Sequence, residues 1–232
     1  MIFAEVAPHY IKMIQSVVPY TKICGLSTSE AARGAVENGA AFLGFIHFAK
    51  SPRHLGVDAM AALMQAVRDD GIAVPLVSVI VDPDDALLLA LRDTVKPDII
   101  QLHGHEIPAR VAEVRALTGL PVIKAVSIST AEDLDAAKAF EDSADYLLFD
   151  AKPPKDAALP GGLGLSFDWT LLSGRTWQKP WFLAGGLDPH NVAGALEISG
   201  ARYVDVSSGV ESAPGVKSPE LISRFLRTTK AL

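Results

Sequence analysis

The chain has 232 residues, of which 49% are hydrophobic and 21% are charged, the composition of an ordinary globular domain. Its formal net charge of −6 argues against a nucleic-acid partner or an anionic membrane surface, because both require a basic face on the protein. Cys24 is the single cysteine, so the sequence excludes an intramolecular disulfide and a cysteine-rich zinc site.

Residues 1–19 fit no repeating pattern, and we predict that they form an N-terminal extension to a domain spanning residues 20–232. The first residues lack the basic region of a signal peptide, and no stretch approaches 18 consecutive apolar residues. With a cysteine count that suits a reducing compartment, these features predict a cytoplasmic protein without a membrane partner.

From residue 20 onward, short apolar runs of strand length alternate with amphipathic stretches of helical length. This alternation is typical of parallel βαβ units. The strands are predicted at residues 20–24, 41–47, 75–81, 98–103, 121–126, 145–150, 181–184 and 202–206. The helices are predicted at residues 29–38, 57–68, 83–95, 107–117, 131–140, 167–172, 191–198 and 218–227. Eight such units predict an α/β fold with a single (β/α)8 TIM barrel.

An open, doubly wound sheet is the alternative fold. Dinucleotide-binding sheets of that kind carry a G-x-G-x-x-G pattern after their first strand, and residues 25–30 lack it. In a barrel, active sites lie where the strands end and the following loops begin. The predicted strand ends are therefore the first places to search for functional side chains.

Two neighbouring strand ends resemble a phosphate site. Gly185 and Gly186 follow the seventh predicted strand, and Ser207, Ser208 and Gly209 follow the eighth. Glycine lets the backbone approach an anion, and N–H groups at the start of a following helix can donate to it. Glycines that merely permit tight turns are the alternative, which is weaker for two matching loops than for one.

Two strand ends carry groups that can move protons. Cys24 ends the first predicted strand and precedes a turn, where a thiol can be exposed and reactive, although a lone cysteine is often only a small buried hydrophobe. Asp150 ends the sixth strand after an apolar run, where a carboxyl group can retain a proton near neutrality, although it could also cap a loop. An acid and a base at one barrel mouth would suit proton transfer at a sugar carbon.

Three further features lie near the same rim. Arg53 follows the second strand, and its guanidinium could bind a substrate carboxylate or remain on the solvated surface. Residues 152–164 are rich in Pro and Gly, and they are longer than an ordinary connection, which suggests a lid. His103 and His105, with Glu106, are weak evidence for a metal site without further ligands.

Taken in order, the motifs from residue 20 to the C-terminus resemble those of the phosphoribosylanthranilate isomerase family. They are KICGLS at 22–27, GF at 44–45, KSPR at 50–53, QLHG at 101–104, LFDAK at 148–152, GG at 161–162, FDW at 167–169, LAGGL at 183–187, NV at 191–192 and VDVSSGVE at 204–211. The resemblance implies an Amadori rearrangement of N-(5-phosphoribosyl)anthranilate to 1-(2-carboxyphenylamino)-1-deoxyribulose 5-phosphate in tryptophan biosynthesis, without cofactor or metal.

The resemblance also implies roles for particular residues. Cys24 would be the general base, Asp150 the general acid and Arg53 the clamp on the anthranilate carboxylate, with Asp205 near the substrate. The partner would be a small phosphoribosyl molecule, and the enzyme would be a monomer or a homodimer.

Three other functions remain open at this point. A metal-dependent sugar-phosphate epimerase would need several inward-pointing ligands, for which His47 and His103 are the plausible candidates. A lyase would want a central lysine, and Lys124 on the fifth predicted strand is the candidate. A phosphate-binding module without activity would need neither Cys24 nor Asp150, so the presence of both argues against it.

Overall fold

The computed structural model describes residues 18–154 and 161–231, and its centre is a closed barrel of eight parallel strands. β1 pairs with β2 on one side and with β8 on the other, which closes the sheet. The strands are β1 (Tyr20–Ile23), β2 (Phe42–His47), β3 (Leu76–Ile80), β4 (Ile99–Leu102), β5 (Val122–Ile128), β6 (Tyr146–Ala151), β7 (Trp181–Leu183) and β8 (Tyr203–Val206). The predicted TIM barrel is therefore confirmed, and the open sheet is wrong.

In the described ranges, seven α-helices lie between or after the strands. They are α1 (Ser29–Glu37), α2 (Val57–Asp69), α3 (Asp85–Ala90), α4 (Pro108–Thr118), α5 (Ala131–Ala137), α6 (Val192–Ser199) and α7 (Pro219–Lys230). Polar caps start several of them: Thr28, Asp84 and Ser218 each accept a hydrogen bond from a backbone N–H of the first turn. The apolar faces of the helices pack against the outside of the barrel and form the larger of its two cores.

The structure differs most from the sequence prediction in two places. The helix predicted at residues 167–172 is only a 3₁₀ turn, Trp169–Leu172, because Asp168 caps its start, Ser173 is already extended and Gly174 has φ of 71°. The loop after β8 also holds a hairpin that the sequence did not predict, formed by β9 (Glu211–Ala213) and β10 (Val216–Lys217).

Aromatic side chains close the amino-terminal end of the barrel. The rings of Phe42, Tyr146, Phe182 and Tyr203 come from the starts of four strands and meet at centroid distances of 5.1 to 6.4 Å. These contacts fill the barrel interior at this end, so the carboxyl ends of the strands are the place to search for a ligand site.

Alternation along each strand decides which side chains enter the barrel. On β1 the inward positions continue from Tyr20 to Lys22 and then to Cys24, just beyond the strand, while Ile23 packs outward against the helices. The predicted N-terminal extension at residues 1–19 falls almost wholly outside the described residues. Within the described part of the chain, no helix has the length and apolar character needed to cross a bilayer.

Candidate active site

A cavity opens at the carboxyl ends of the strands and encloses about 860 Å³, its mouth included. Eight of the nine site residues predicted from the sequence line it: Cys24, Arg53, Asp150, Gly185, Gly186, Asp205, Ser207 and Ser208. The ninth, Gly209, lines an adjoining depression that shares Gly186 and Ser208 with the cavity.

Cys24 lies at the floor of the cavity and is only 4% exposed. Its backbone N–H donates to the carbonyl of Val206, 2.9 Å away, which continues the pairing of β1 with β8. Burial raises the pKa of the thiol, and the nearby Lys22 ammonium opposes that rise. The exposed turn expected from the sequence is wrong, because the thiol is covered by the barrel and meets solvent only through the cavity.

Lys22 is a charged residue beside the site that the sequence reasoning missed. It is fully buried inside the barrel, where its ammonium donates a hydrogen bond to Asp205 Oδ1 at 2.9 Å. The two residues are direct partners in the register of β1 and β8. The spacing in the sequence is the signal that could have found it: Lys22 is two residues before Cys24 and therefore faces the same side of the strand.

Asp150 is the penultimate residue of β6 and is 7% exposed. Its Oδ1 accepts from the N–H of Ala151 at 2.8 Å, and its Oδ2 is 3.2 Å from His103 Nε2. Gln101 Nε2 is 3.0 Å from His103 Nδ1, so Gln101 and Asp150 contact opposite nitrogens of the imidazole. The apolar surroundings expected for Asp150 are therefore interrupted by an imidazole that the sequence suggested only as a weak metal ligand.

Arg53 is 5% exposed and is held by a carboxylate from the unpredicted hairpin. Its Nε and Nη2 donate to the two carboxylate oxygens of Glu211 at 2.7 and 2.8 Å, and Lys217 donates to the same carboxylate at 2.7 Å. Burial raises the pKa of Glu211, but these hydrogen bonds outweigh it and hold that pKa below its usual value. The side edge of the guanidinium, formed by Nε and Nη2, is thus occupied, while Nη1 points towards the cavity beside Gly162.

The two glycine-rich loops meet beside the cavity as a pair. Gly185 and Gly186 have φ of 84° and 62°, and the carbonyl of Gly186 accepts from the Asn191 side chain at 2.8 Å. Among the described residues, the N–H groups of Gly186, Ser208 and Gly209 have no hydrogen-bond acceptor. A cluster of unpaired N–H donors at a short helical turn is suited to an oxyanion such as phosphate.

The structure weakens the two alternative enzymes considered from the sequence. Lys124 points out of the barrel, where it pairs with the buried Glu106 at 2.6 Å, so the lysine inside the barrel is a different one. His47 is bound to the carbonyl of Leu55 at 2.8 Å. No group of three or more potential metal-binding side chains occurs in the described ranges. Of the predicted lid at residues 152–164, residues 155–160 lie outside the described residues.

Comparison with known proteins identifies similar chains. The profile of a family described as N-(5′-phosphoribosyl)anthranilate (PRA) isomerase matches residues 21–228. An N-(5′-phosphoribosyl)anthranilate isomerase from Caulobacter sp. strain K31 is 54% identical over 209 residues, which cover 90% of this chain and 97% of the relative. One from Paracoccus denitrificans is 54% identical over 210 residues, with 90% and 96% covered.

Solved structures agree with this similarity. The crystal structure of phosphoribosylanthranilate isomerase from Thermotoga maritima has a TM-score of 0.80 at 31% identity and covers 92% of this chain and 100% of its own. A phosphoribosylanthranilate isomerase in complex with reduced 1-(o-carboxyphenylamino)-1-deoxyribulose 5-phosphate has a TM-score of 0.76 at 29% identity, with the same coverage.

Proposed function

Because the chain belongs to the N-(5′-phosphoribosyl)anthranilate isomerase family and catalyses that isomerisation in tryptophan biosynthesis, we propose that Cys24 and Asp150 carry its proton transfers. One observation carries the proposal. The thiol comes from the end of β1 and the carboxyl group from the end of β6, and both line the same cavity. An aldose-to-ketose conversion needs an acid and a base at one sugar, which this pair can supply.

Asp150 is proposed as the general acid that opens the furanose ring. It transfers its proton to the ring oxygen as the bond between that oxygen and C1 breaks, and the lone pair of the anthranilate nitrogen forms the C1 iminium. His103 Nε2 is 3.2 Å from the carboxyl group, close enough to share a proton with Asp150 between turnovers.

Cys24 is proposed as the general base of the second step. Its thiolate removes the hydrogen at C2, the electrons of that C–H bond form the C1–C2 double bond, and the iminium nitrogen regains its lone pair. The resulting enolamine tautomerises to the ketone. Because the iminium charge acidifies the C2 hydrogen, a thiolate at the cavity floor is a sufficient base.

Arg53 and the glycine-rich loops are proposed to hold the two ends of the substrate. Although Glu211 takes the side edge of the guanidinium, the end edge formed by Nη1 and the second hydrogen of Nη2 remains able to bind a carboxylate with two hydrogen bonds. The N–H groups of Gly186, Ser208 and Gly209 would bind the phosphate. The buried charges on Arg53 and Glu211 fix the clamp before substrate arrives.

The remaining sequence predictions are retained as proposals. A family match over residues 21–228 supports a catalytic domain over residues 20–232 preceded by an extension. A cytoplasmic location is also retained as a proposal. The enzyme would be a monomer or a homodimer, and a Thermotoga maritima relative is described as dimeric.

Cys24→Ser tests the proposed base. A hydroxyl group is a far poorer proton acceptor at neutral pH, so kcat should fall by about 10² to 10⁴, while a product analogue such as reduced 1-(o-carboxyphenylamino)-1-deoxyribulose 5-phosphate still binds. Turnover followed through anthranilate fluorescence measures kcat, and fluorescence titration measures binding. A kcat within threefold of the parent value would remove Cys24 from the mechanism.

A further inference from the structure

Lys22 is a buried charged group that the proposed mechanism does not use. It lies in the barrel interior between the aromatic rings at the amino-terminal end and the cavity, and its side chain is 0% exposed. Its ammonium donates to Asp205 at 2.9 Å. Burying an ammonium and a carboxylate is costly, and an apolar pair of similar volume is often at least as stable. A contribution to stability alone therefore does not account for this pair.

The neighbour of this ion pair is the thiol of Cys24. A Cβ atom built on Gly44 would lie 2.8 Å from Cys24 Sγ and 3.0 Å from Lys22 Nζ. Both atoms therefore border the space that glycine leaves open on β2, and they are within about 6 Å of each other. A cation at that distance from a buried sulfur favours the thiolate, and the low exposure of both groups limits screening by solvent.

From this geometry we infer that the Lys22 ammonium stabilises the thiolate form of Cys24 and that Asp205 holds the ammonium beside the sulfur. Lys22 is thus a positioning residue that acts through Cys24, and the inference rests on the proposed role of Cys24 as the base. It accounts for how a buried thiol can ionise, because the fixed ammonium of Lys22 lies beside it.

The other charged groups around Cys24 fit this assignment. Lys217 also attracts the thiolate, but it is bound to Glu211 at 2.7 Å and to the carbonyl of Ser207 at 2.9 Å. Asp205 repels the thiolate, so the carboxylate and the sulfur compete for the single ammonium of Lys22. The pKa of Lys22 is itself raised, because Asp205 and Cys24 together outweigh the effect of burial.

The rate of alkylation by iodoacetamide as a function of pH tests the inference. Cys24 is the single cysteine, so the titration reports one thiol. Lys22→Met removes the ammonium and keeps a side chain of similar length. The midpoint should shift upward by at least about one pH unit, which makes alkylation near pH 7 roughly tenfold slower. Asp205→Asn should shift it downward, because the sulfur becomes the remaining counterion of Lys22.

Lys124→Met is the matched control. Lys124 is also a buried lysine paired with a carboxylate, but it lies outside the barrel, so its loss should destabilise the fold without moving the alkylation midpoint. Shifts of opposite sign in Lys22→Met and Asp205→Asn support the inference, since structural damage alone would not produce them. An unchanged or lower midpoint in folded Lys22→Met overturns it.

If Lys22→Met does not fold, Lys22→Gln replaces it, because the amide is uncharged but can still donate a hydrogen bond to Asp205; an unchanged or lower midpoint in that variant overturns the inference. The proposed mechanism is tested separately, because alkylation requires no turnover. An active Cys24→Ser enzyme would refute Cys24 as the base, whereas the alkylation experiment would still test whether Lys22 stabilises the thiolate.

Discussion

The space around Gly44 makes the alignment of the proposed base testable with one methyl group. In Gly44→Ala the added Cβ would lie 2.8 Å from Cys24 Sγ, whereas ordinary van der Waals contact begins near 3.4 Å, so the sulfur must retreat by about 0.6 Å. The methyl would also lie 3.1 Å from Cys24 Cα, where backbone cannot give way cheaply. Overpacking of this kind costs about 1–3 kcal/mol of unfolding free energy. A displacement approaching 1 Å can lower turnover by roughly 10²-fold.

The assay combines initial rates, followed by anthranilate fluorescence, with unfolding in urea. Gly44→Ala should lose roughly ten- to a hundredfold in kcat and should unfold at lower urea concentration. Gly34→Ala is the control, because Gly34 lies within α1 and a methyl group added there would meet nothing within 4 Å, so alanine should stabilise the helix by about 0.5–1 kcal/mol. Parent-like kcat and stability in Gly44→Ala would refute the reasoning.

Two further predictions concern the clamp on the substrate carboxylate. Arg53→Ala should chiefly raise KM, and Arg53→Lys should not restore the parent KM, since an ammonium cannot form the two parallel hydrogen bonds of a guanidinium. Steady-state kinetics measure both variants. An unchanged KM would place Arg53 outside the site. Glu211 has a pKa lowered in the fold from its ordinary value of 4.5, so its stabilising effect is present above that pH and is lost as the pH falls through the folded pKa. The urea midpoint of the parent should therefore fall in acid. Glu211→Gln should have a lower urea midpoint than the parent at neutral pH, but its midpoint should fall less on acidification. Parallel curves of urea midpoint against pH for the two proteins would contradict this.

The order of strands and helices in the barrel could be predicted from the sequence because it depends on local patterns. Buried parallel strands are continuous apolar runs, and each predicted strand lies within a few residues of an observed one. The candidate site residues could be predicted for a similar reason, because the carboxyl ends of all the parallel strands lie at the same mouth of the barrel. The predicted helix at residues 167–172 was wrong because its apolar residues suit a short turn equally well.

The pairings inside the site could not be predicted in this way. Arg53 meets Glu211 across 158 positions of sequence, through a hairpin whose strands are only two or three residues long. Which lysine enters the barrel depends on the phase of each strand, and a shift by one residue exchanges inside for outside. Lys124, the candidate that a lyase would need, points outward for this reason, whereas Lys22 faces the same side of its strand as Cys24.

The most direct test of the mechanism is the kcat of Asp150→Asn with phosphoribosylanthranilate. The amide keeps the shape of the carboxyl group and can still accept from the N–H of Ala151, but it has no acidic proton for the ring oxygen. The mechanism predicts a kcat at least about 10²-fold below that of the parent, with binding of the reduced product analogue retained. A kcat near the parent value, with binding of the analogue lost, would contradict it and make Asp150 a group that positions the ligand.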